Sequence, residues 1–220
     1  MKFPPLHPWP NTTEEASKIQ EQLRTKVIRE DQLNEVKYVA GIDVGYDPKN
    51  QISKAAVAIL TFPDLQQKEH AIATTKTTFP YIPGYLSFRE IPAVLEALEK
   101  LSIIPDLLLC DGQGIAHPRR FGLACHIGVL TNIPAIGVAK TRFIGEHDTV
   151  PEPRGSWQPL HDQSEIIGAV LRTRTATKPL YISIGHKITL TTALEYVLKC
   201  TPKYRLPETT RTADYLASSK

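Results

Sequence analysis

Three carboxylates stand where a purely structural role explains them poorly. Asp43 lies inside an apolar run, flanked by Ile42 and Val44 and followed by Gly45. An acidic side chain there is costly unless something pairs with it. Asp111 directly follows the apolar segment D-L-L-L-C of Asp106 to Cys110, at the strand terminus where open α/β sheets place their ligands. Glu90 sits at the start of a helical pattern between those two strands. Two neighbouring strands and the helix beside them can bring three carboxylates to one point. Such a cluster repels itself without a counter-charge, and its hard oxygen donors suit Mg²⁺ or Mn²⁺. Plainer readings exist for two of them. Ser87-Phe88-Arg89-Glu90 reads as a capping box in which Glu90 is only the third-residue partner, and Asp111 before Gly112 reads as a turn residue.

Other polar residues surround these three. Lys140 follows the apolar strand I-G-V-A, as a surface charge or as a point charge for a phosphate. His117 follows the glycine-rich turn D-G-Q-G, where a solvated loop histidine is the plain alternative to a functional one. Arg119 and Arg120 either contact a nucleic-acid backbone or solubilise their loop. The stretch Phe79 to Glu90, F-P-Y-I-P-G-Y-L-S-F-R-E, opens as a stiff loop. Pro80 and Pro83 fix their own φ and bias the preceding residues away from helix, which holds Tyr81 and Ile82 on a short rigid tip. Gly84 then permits a turn or close approach. A rigid aromatic beside a carboxylate is a tool for prying at something next to a reactive centre.

The elements that must position these residues follow from local pattern. A helix starts at Asn11 to Glu15, with Thr12 and Glu15 as a capping box and Ala16, Ile19, Leu23 and Val27 on one apolar face. Strands are expected at Val36 to Val44, Lys54 to Phe62 and His70 to Thr78, close enough to form an antiparallel meander. A helix over Ser87 to Ser102, a strand over Asp106 to Cys110, a helix over Phe121 to Leu130 and a strand over Pro134 to Ala139 then alternate, which implies parallel strands. Gly145 to Gln163 reads as a surface loop. Glu165 to Thr173 and Leu180 to Ile184 read as a strand pair, and helices follow at Thr189 to Cys200 and from Pro207. The whole is an α/β chain with a mixed sheet, and its 220 residues fit a single domain.

Composition narrows the class. The chain is 41% hydrophobic and 22% charged, with net charge +3 and pI near 8.7, which permits a polyanionic partner without demanding one. Cys110, Cys125 and Cys200 are widely spaced and odd in number, which points to a reducing, cytoplasmic compartment and offers no zinc spacing. Met1 to Pro10 is proline-rich and lacks an apolar signal core, and no transmembrane run is present. No oligomer interface can be read, so a monomer is expected.

Several long blocks in order carry a resemblance: V-A-G-I-D-V-G-Y at Val39 to Tyr46, P-Y-I-P-G-Y-L-S-F-R-E at Pro80 to Glu90, D-G-Q-G-I-A-H-P-R-R at Asp111 to Arg120, I-G-V-A-K at Ile136 to Lys140, and Y-R-L-P-E-T-T-R-T-A-D at Tyr204 to Asp214. With them the chain resembles the endonuclease V (deoxyinosine 3′-endonuclease) family. The resemblance implies an RNase H-like fold with a mixed five-stranded sheet flanked by helices. It implies cleavage at the second phosphodiester 3′ to a hypoxanthine nucleotide, leaving 3′-hydroxyl and 5′-phosphate, with Mg²⁺ or substituting Mn²⁺. By motif match, Asp43 and Asp111 are the main metal ligands, Glu90 completes the set, and Asp214 is a fourth catalytic side chain. Lys140 and His117 would hold the scissile phosphate region. Pro80, Tyr81, Ile82 and Pro83 would be the wedge, with Gly84, Leu86 and Gly112 lining the base pocket and Arg119 on the nucleic acid. The tail reads P-E-T-T-R where P-E-P-T-R is commoner, a change that spares the acidic residues.

The expected substrate is deoxyinosine-containing DNA. Inosine in RNA or branched DNA would use the same site type, and a silent lesion-binding module is the reading from another class. The P-Y-I-P tip argues against a resolvase, and the self-repelling acidic set argues against a pure binder.

Overall fold

The computed structural model describes residues 2–219; Met1, which opens the proline-rich stretch, and Lys220 lie outside them. The meander forms as expected. Strands β1 (Tyr38–Asp47), β2 (Ile52–Thr61) and β3 (Gln67–Lys76) pair antiparallel in sequence order. β4 (Leu107–Cys110) then lies parallel to β1, and β5 (Ala135–Ala139) parallel to β4. All four residues of β4 are buried, as an apolar strand at the middle of a covered sheet requires.

The sheet has eight strands in the order β3-β2-β1-β4-β5-β8-β7-β6, which corrects the five-stranded expectation. Beyond β5 the pairing turns antiparallel again, through β8 (Leu180–His186), β7 (Glu165–Leu171) and β6 (Trp157–Asp162). The segment read as a surface loop therefore carries β6. Its proline and polar residues hid it, yet both suit an edge strand, where Pro159 can be accommodated and one side of the ladder meets solvent.

Helix α1 (Thr13–Leu23) starts as its sequence suggests. The Thr12 hydroxyl accepts from the Glu15 N–H at 3.2 Å, and Glu15 accepts from the Asn11 N–H at 2.8 Å. Helix α2 (Leu86–Glu99) does not. It begins two residues earlier than a capping box at Ser87 would allow, with Tyr85 as an N-cap that makes no side-chain bond. Ser87 lies inside the helix and bonds His126 Nδ1 at 3.0 Å, so Glu90 is not used up as a capping partner.

Residues of α2 and of α3 (Leu123–Thr131) pack with Ala40, Ile42, Leu108 and Cys110 on one face of the sheet. Residues of α4 (Leu190–Lys199) and α5 (Glu208–Ser218) pack with Val39, Leu107 and Leu109 on the other. Alternation along β1 sends position 43 to the α5 side. Gly41 makes that packing possible: a Cβ there would lie 2.0 Å from the Thr209 carbonyl oxygen at the start of α5. Close approach of helix to strand brings Asp214 towards Asp43. Among the described residues no helix is long and apolar enough to cross a membrane, and all three cysteines are free and buried.

Candidate active site

The parallel register of β1 with β4 sets the centre of the site. Ile42 pairs with Cys110, and the Asp111 N–H reaches the Ile42 carbonyl at 3.4 Å, so Asp43 and Asp111 leave adjacent strands side by side. β5 runs parallel on the other side of β4 and delivers Lys140 just past its end, where its ammonium forms an ion pair with Asp111. Glu90 comes in from the first turns of α2, and Asp214 from the exposed side of α5.

Electrostatics show that these groups feel one another. Burial, and then the charges of Asp43 and Asp111, push the Glu90 carboxyl up to about 8, with Arg89 opposing. Burial, then Asp111 and Asp214, push Asp43 up to about 6, while Lys140 pulls it down. Lys140 itself is disfavoured by burial but held charged, above its usual value, by Asp111, Asp43 and Asp214. Raised carboxyls beside one another mark a site short of positive charge. Among the described residues no three of His, Cys, Asp or Glu already stand as a closed metal cage. The donor chemistry nonetheless fits a hard divalent cation: the acidic donors are all carboxylate oxygens, and the cation paired with Asp111 is a partly exposed lysine.

Next to this cluster lies a cavity of about 330 Å³, lined by Ile82, Gly84, Leu86, Gly112, Leu123 and Phe143 among others. That is the lower end of the range for small-molecule sites, and its walls mix backbone with apolar side chains. Tyr81, Pro83, Asp111, His117 and Lys140 also border it, whereas Pro80, Arg119, Asp43, Glu90 and Asp214 do not. Tyr81 is 68% exposed at the rim. On its inner side the Arg89 guanidinium lies 5.7 Å from the Tyr81 ring and 3.6 Å over Tyr46. At the foot of the loop Phe79 is buried against Phe88, ring centroids 5.8 Å apart.

The two arginines of the H-P-R-R segment part ways. Arg120 turns to Asp162 and Glu165, both at 2.7 Å, and ties the loop to β6 and β7. Arg119 turns to Gly84 and Gln20. His117 is buried, not a solvated loop residue, and burial lowers its pKa to about 4. Sequence reasoning missed Phe143, whose ring lies tilted against His117 with centroids 5.6 Å apart, and Gln113, whose buried Oε1 has no partner while its Nε2 holds the Thr141 carbonyl at 3.1 Å. It also missed Gln20. One signal was available for Gln20: a polar residue one position after Ile19 on the apolar side of α1.

The sequence and the overall fold are similar to those of known proteins. The sequence model of the family described as Endonuclease V matches residues 21–215. Endonuclease V of Trichormus variabilis is 64% identical over 215 residues, covering 97% of each chain. The crystal structure of Endonuclease V from Streptomyces avermitilis superposes with a TM-score of 0.91 at 46% identity, covering 95% of this chain and 92% of that one. Endonuclease V of Ciona intestinalis (D234N), solved in complex with a 23mer DNA containing an inosine followed by a ribo-adenosine, gives a TM-score of 0.81 at 31% identity, covering 94% and 96%.

Proposed function

The chain belongs to the endonuclease V family of DNA-repair nucleases, and from that premise we propose that it recognises deoxyinosine and hydrolyses the second phosphodiester bond on its 3′ side, leaving a 3′-hydroxyl and a 5′-phosphate. The observation that carries this reading is the self-repelling cluster of Asp43, Glu90 and Asp111 beside a base-sized cavity and an exposed tyrosine.

In this reading Asp43 and Asp111 are the principal Mg²⁺ ligands, Glu90 completes the set and Asp214 adds a fourth catalytic carboxylate; Mn²⁺ can substitute. The cation supplies charge neutralisation at the scissile phosphate and activation of water. Lys140 leaves its pair with Asp111 for a non-bridging phosphate oxygen, as a point charge. Tyr81, carried by Pro80, Ile82 and Pro83, fills the stack vacated by the lesion. Hypoxanthine pairs weakly with thymine, so extrusion costs less than for a normal pair. Gly84, Leu86 and Gly112 border the extruded base, and backbone groups there can distinguish its O6 and N1–H edge from the amino group of adenine. The continuous eight-stranded sheet supports a single domain in the described residues, and in this reading the chain acts as a cytoplasmic monomer.

A second reading, cleavage next to inosine in RNA, is favoured by one observation: the DNA bound by the Ciona relative carries a ribo-adenosine after its inosine. The test is an end-labelled duplex with one deoxyinosine, incubated with Mg²⁺ or with EDTA, using wild type and Asp43→Ala. A nick one nucleotide past the lesion, requiring metal and lost in the variant, is expected. Tight lesion binding without a nick would defeat the DNA nuclease reading, and the same oligonucleotide as inosine RNA decides the second one.

A further inference from the structure

One backbone atom is held more firmly than any local turn requires. The Gly84 carbonyl oxygen, directly after P-Y-I-P, accepts from three side chains: Gln20 Nε2 at 2.9 Å, His117 Nε2 at 3.0 Å and Arg119 Nη2 at 3.0 Å. A carbonyl has two lone pairs, so three donors saturate it. The donors come from two separate parts of the chain, helix α1 and the loop after β4, and they are tied to one another. Arg119 Nε donates to Gln20 Oε1, Gln20 also donates to the Phe121 carbonyl at 3.3 Å, and the Arg119 guanidinium lies 4.2 Å over the Tyr85 ring. The Tyr85 hydroxyl in turn bonds Ser17 of α1 at 2.8 Å.

His117 has both ring nitrogens committed in this arrangement. A carbonyl only accepts, so Nε2 carries the proton; the Arg119 N–H only donates, at 3.2 Å, so Nδ1 is the acceptor. No nitrogen is left for a phosphate or a reacting proton. Gln20 is 1% exposed, a buried polar side chain whose known partners are this network. Gly84 itself has φ +85°, and a Cβ there would meet Arg119 Nη2 at 3.0 Å, so the clamp demands glycine.

We propose that Gln20, His117 and Arg119 are positioning residues that clamp the Gly84 carbonyl and so brace the tip carrying Tyr81 against the load of opening a duplex. The proposal deepens the lesion-nuclease reading and rests on it. A side chain that inserts into a base stack must pass the reaction force to something rigid. Phe79 anchors one end of the tip in the core. The clamp anchors the other end with directional bonds to two elements. Braced at both ends, Tyr81 enters the stack without first paying the entropy of ordering its loop.

The test compares the same deoxyinosine oligonucleotide as duplex and as single strand, under single turnover, for wild type, Gln20→Leu, His117→Leu and His117→Gln. Prying is needed only in the duplex. Gln20→Leu and His117→Leu should therefore lose at least about tenfold more rate on the duplex than on the single strand. The glutamine amide can replace the imidazole Nε2–H, so His117→Gln should recover most of the duplex rate with an unshifted pH profile. Amide hydrogen exchange of the full protein without DNA should rise across residues 81–86 in Gln20→Leu and stay unchanged in β4 and β5. Equal losses on both substrates, or His117→Gln as inactive as His117→Leu, would overturn the clamp in favour of a chemical role for the imidazole. Unchanged exchange at 81–86 would overturn it as well, and this readout holds if one variant folds poorly in bulk. A wild type that nicks neither substrate would instead remove the nuclease reading, with exchange still deciding whether the clamp exists.

Discussion

The foot of the Tyr81 tip and the acidic cluster lie side by side and are built on opposite principles. At the foot, polar groups are neutral and satisfied: three donors meet one carbonyl, and the histidine among them is kept uncharged by burial. In the cluster, charges of one sign are gathered and left short of a partner, with Asp43 and Glu90 driven towards protonation. A satisfied polar network rigidifies. A frustrated one stores a preference for something it lacks. The first suits a part that must hold shape under load, the second a part that must bind a cation.

The sharpest way to break this contrast is to neutralise the cluster. Asp43→Asn should lower cleavage by on the order of 10²–10³-fold, the scale for removing one electrostatic contributor to a transition state. The same change should stabilise the metal-free protein by about 1–2 kcal/mol after allowance for solvent screening, and so raise its melting temperature, because a buried charge is removed and its repulsion with Asp111 and Asp214 is relieved. Any disruptive change at the foot should lower it. Calorimetry in EDTA reads the sign directly. A destabilised Asp43→Asn would mean that the carboxylate is structurally paired and the cluster is not frustrated.

The two regions also titrate in opposite senses. Glu90 has a folded pKa of about 8 against an ordinary 4.5, so the stability it lends is complete at low pH and drains away as pH rises through about 8. At the foot, burial holds His117 near 4 against an ordinary 6.5, so the stability it lends is complete above 6.5 and is lost as pH falls towards 4. Between pH 6.5 and 8 only the carboxylate side changes. The metal-free protein should lose about 1–2 kcal/mol across that window, and either Mg²⁺ or Glu90→Gln should abolish the loss. The acid limb below 6.5 should survive both treatments. Melting curves from pH 4 to 8.5, with EDTA and with Mg²⁺, separate the two limbs.

Much of the catalytic edge was legible before the structure. D-L-L-L-C is too apolar for anything but a central strand, and parallel pairing with the strand holding Asp43 follows from the helix between them. The close approach of α5 to Gly41 was not read from the sequence. The foot was much less legible. Its bonds join residues 20, 84, 117 and 119, and no local periodicity links them. His117 looked like a solvated loop residue because its burial comes from tertiary packing of the tip. The capping box at Ser87 misled for a related reason: His126, buried one helix away, takes its hydroxyl. Strand β6 was lost because edge strands tolerate the prolines and polar residues that mark loops.

Not every unsatisfied polar group is functional, and Thr209 separates the two kinds. It lies in the P-E-T-T-R segment where proline is commoner, at the start of α5, fully buried, and its Oγ1 has no partner. Unlike Asp111 it does not line the cavity, and unlike all the carboxylates it carries no charge, so nothing about it calls for a ligand. Its cost should be purely structural. Thr209→Val keeps the branched shape and replaces the orphan hydroxyl with a methyl group, which should stabilise the protein by about 1 kcal/mol. Cleavage should be unchanged within about twofold, since the backbone carbonyl that meets β1 at Gly41 is retained. A gain in melting temperature with full activity would show that frustration in this molecule is functional only where charge and a cavity coincide. A loss of stability would reveal a partner for the hydroxyl, and a loss of activity would mean that the start of α5 transmits strain to Asp214.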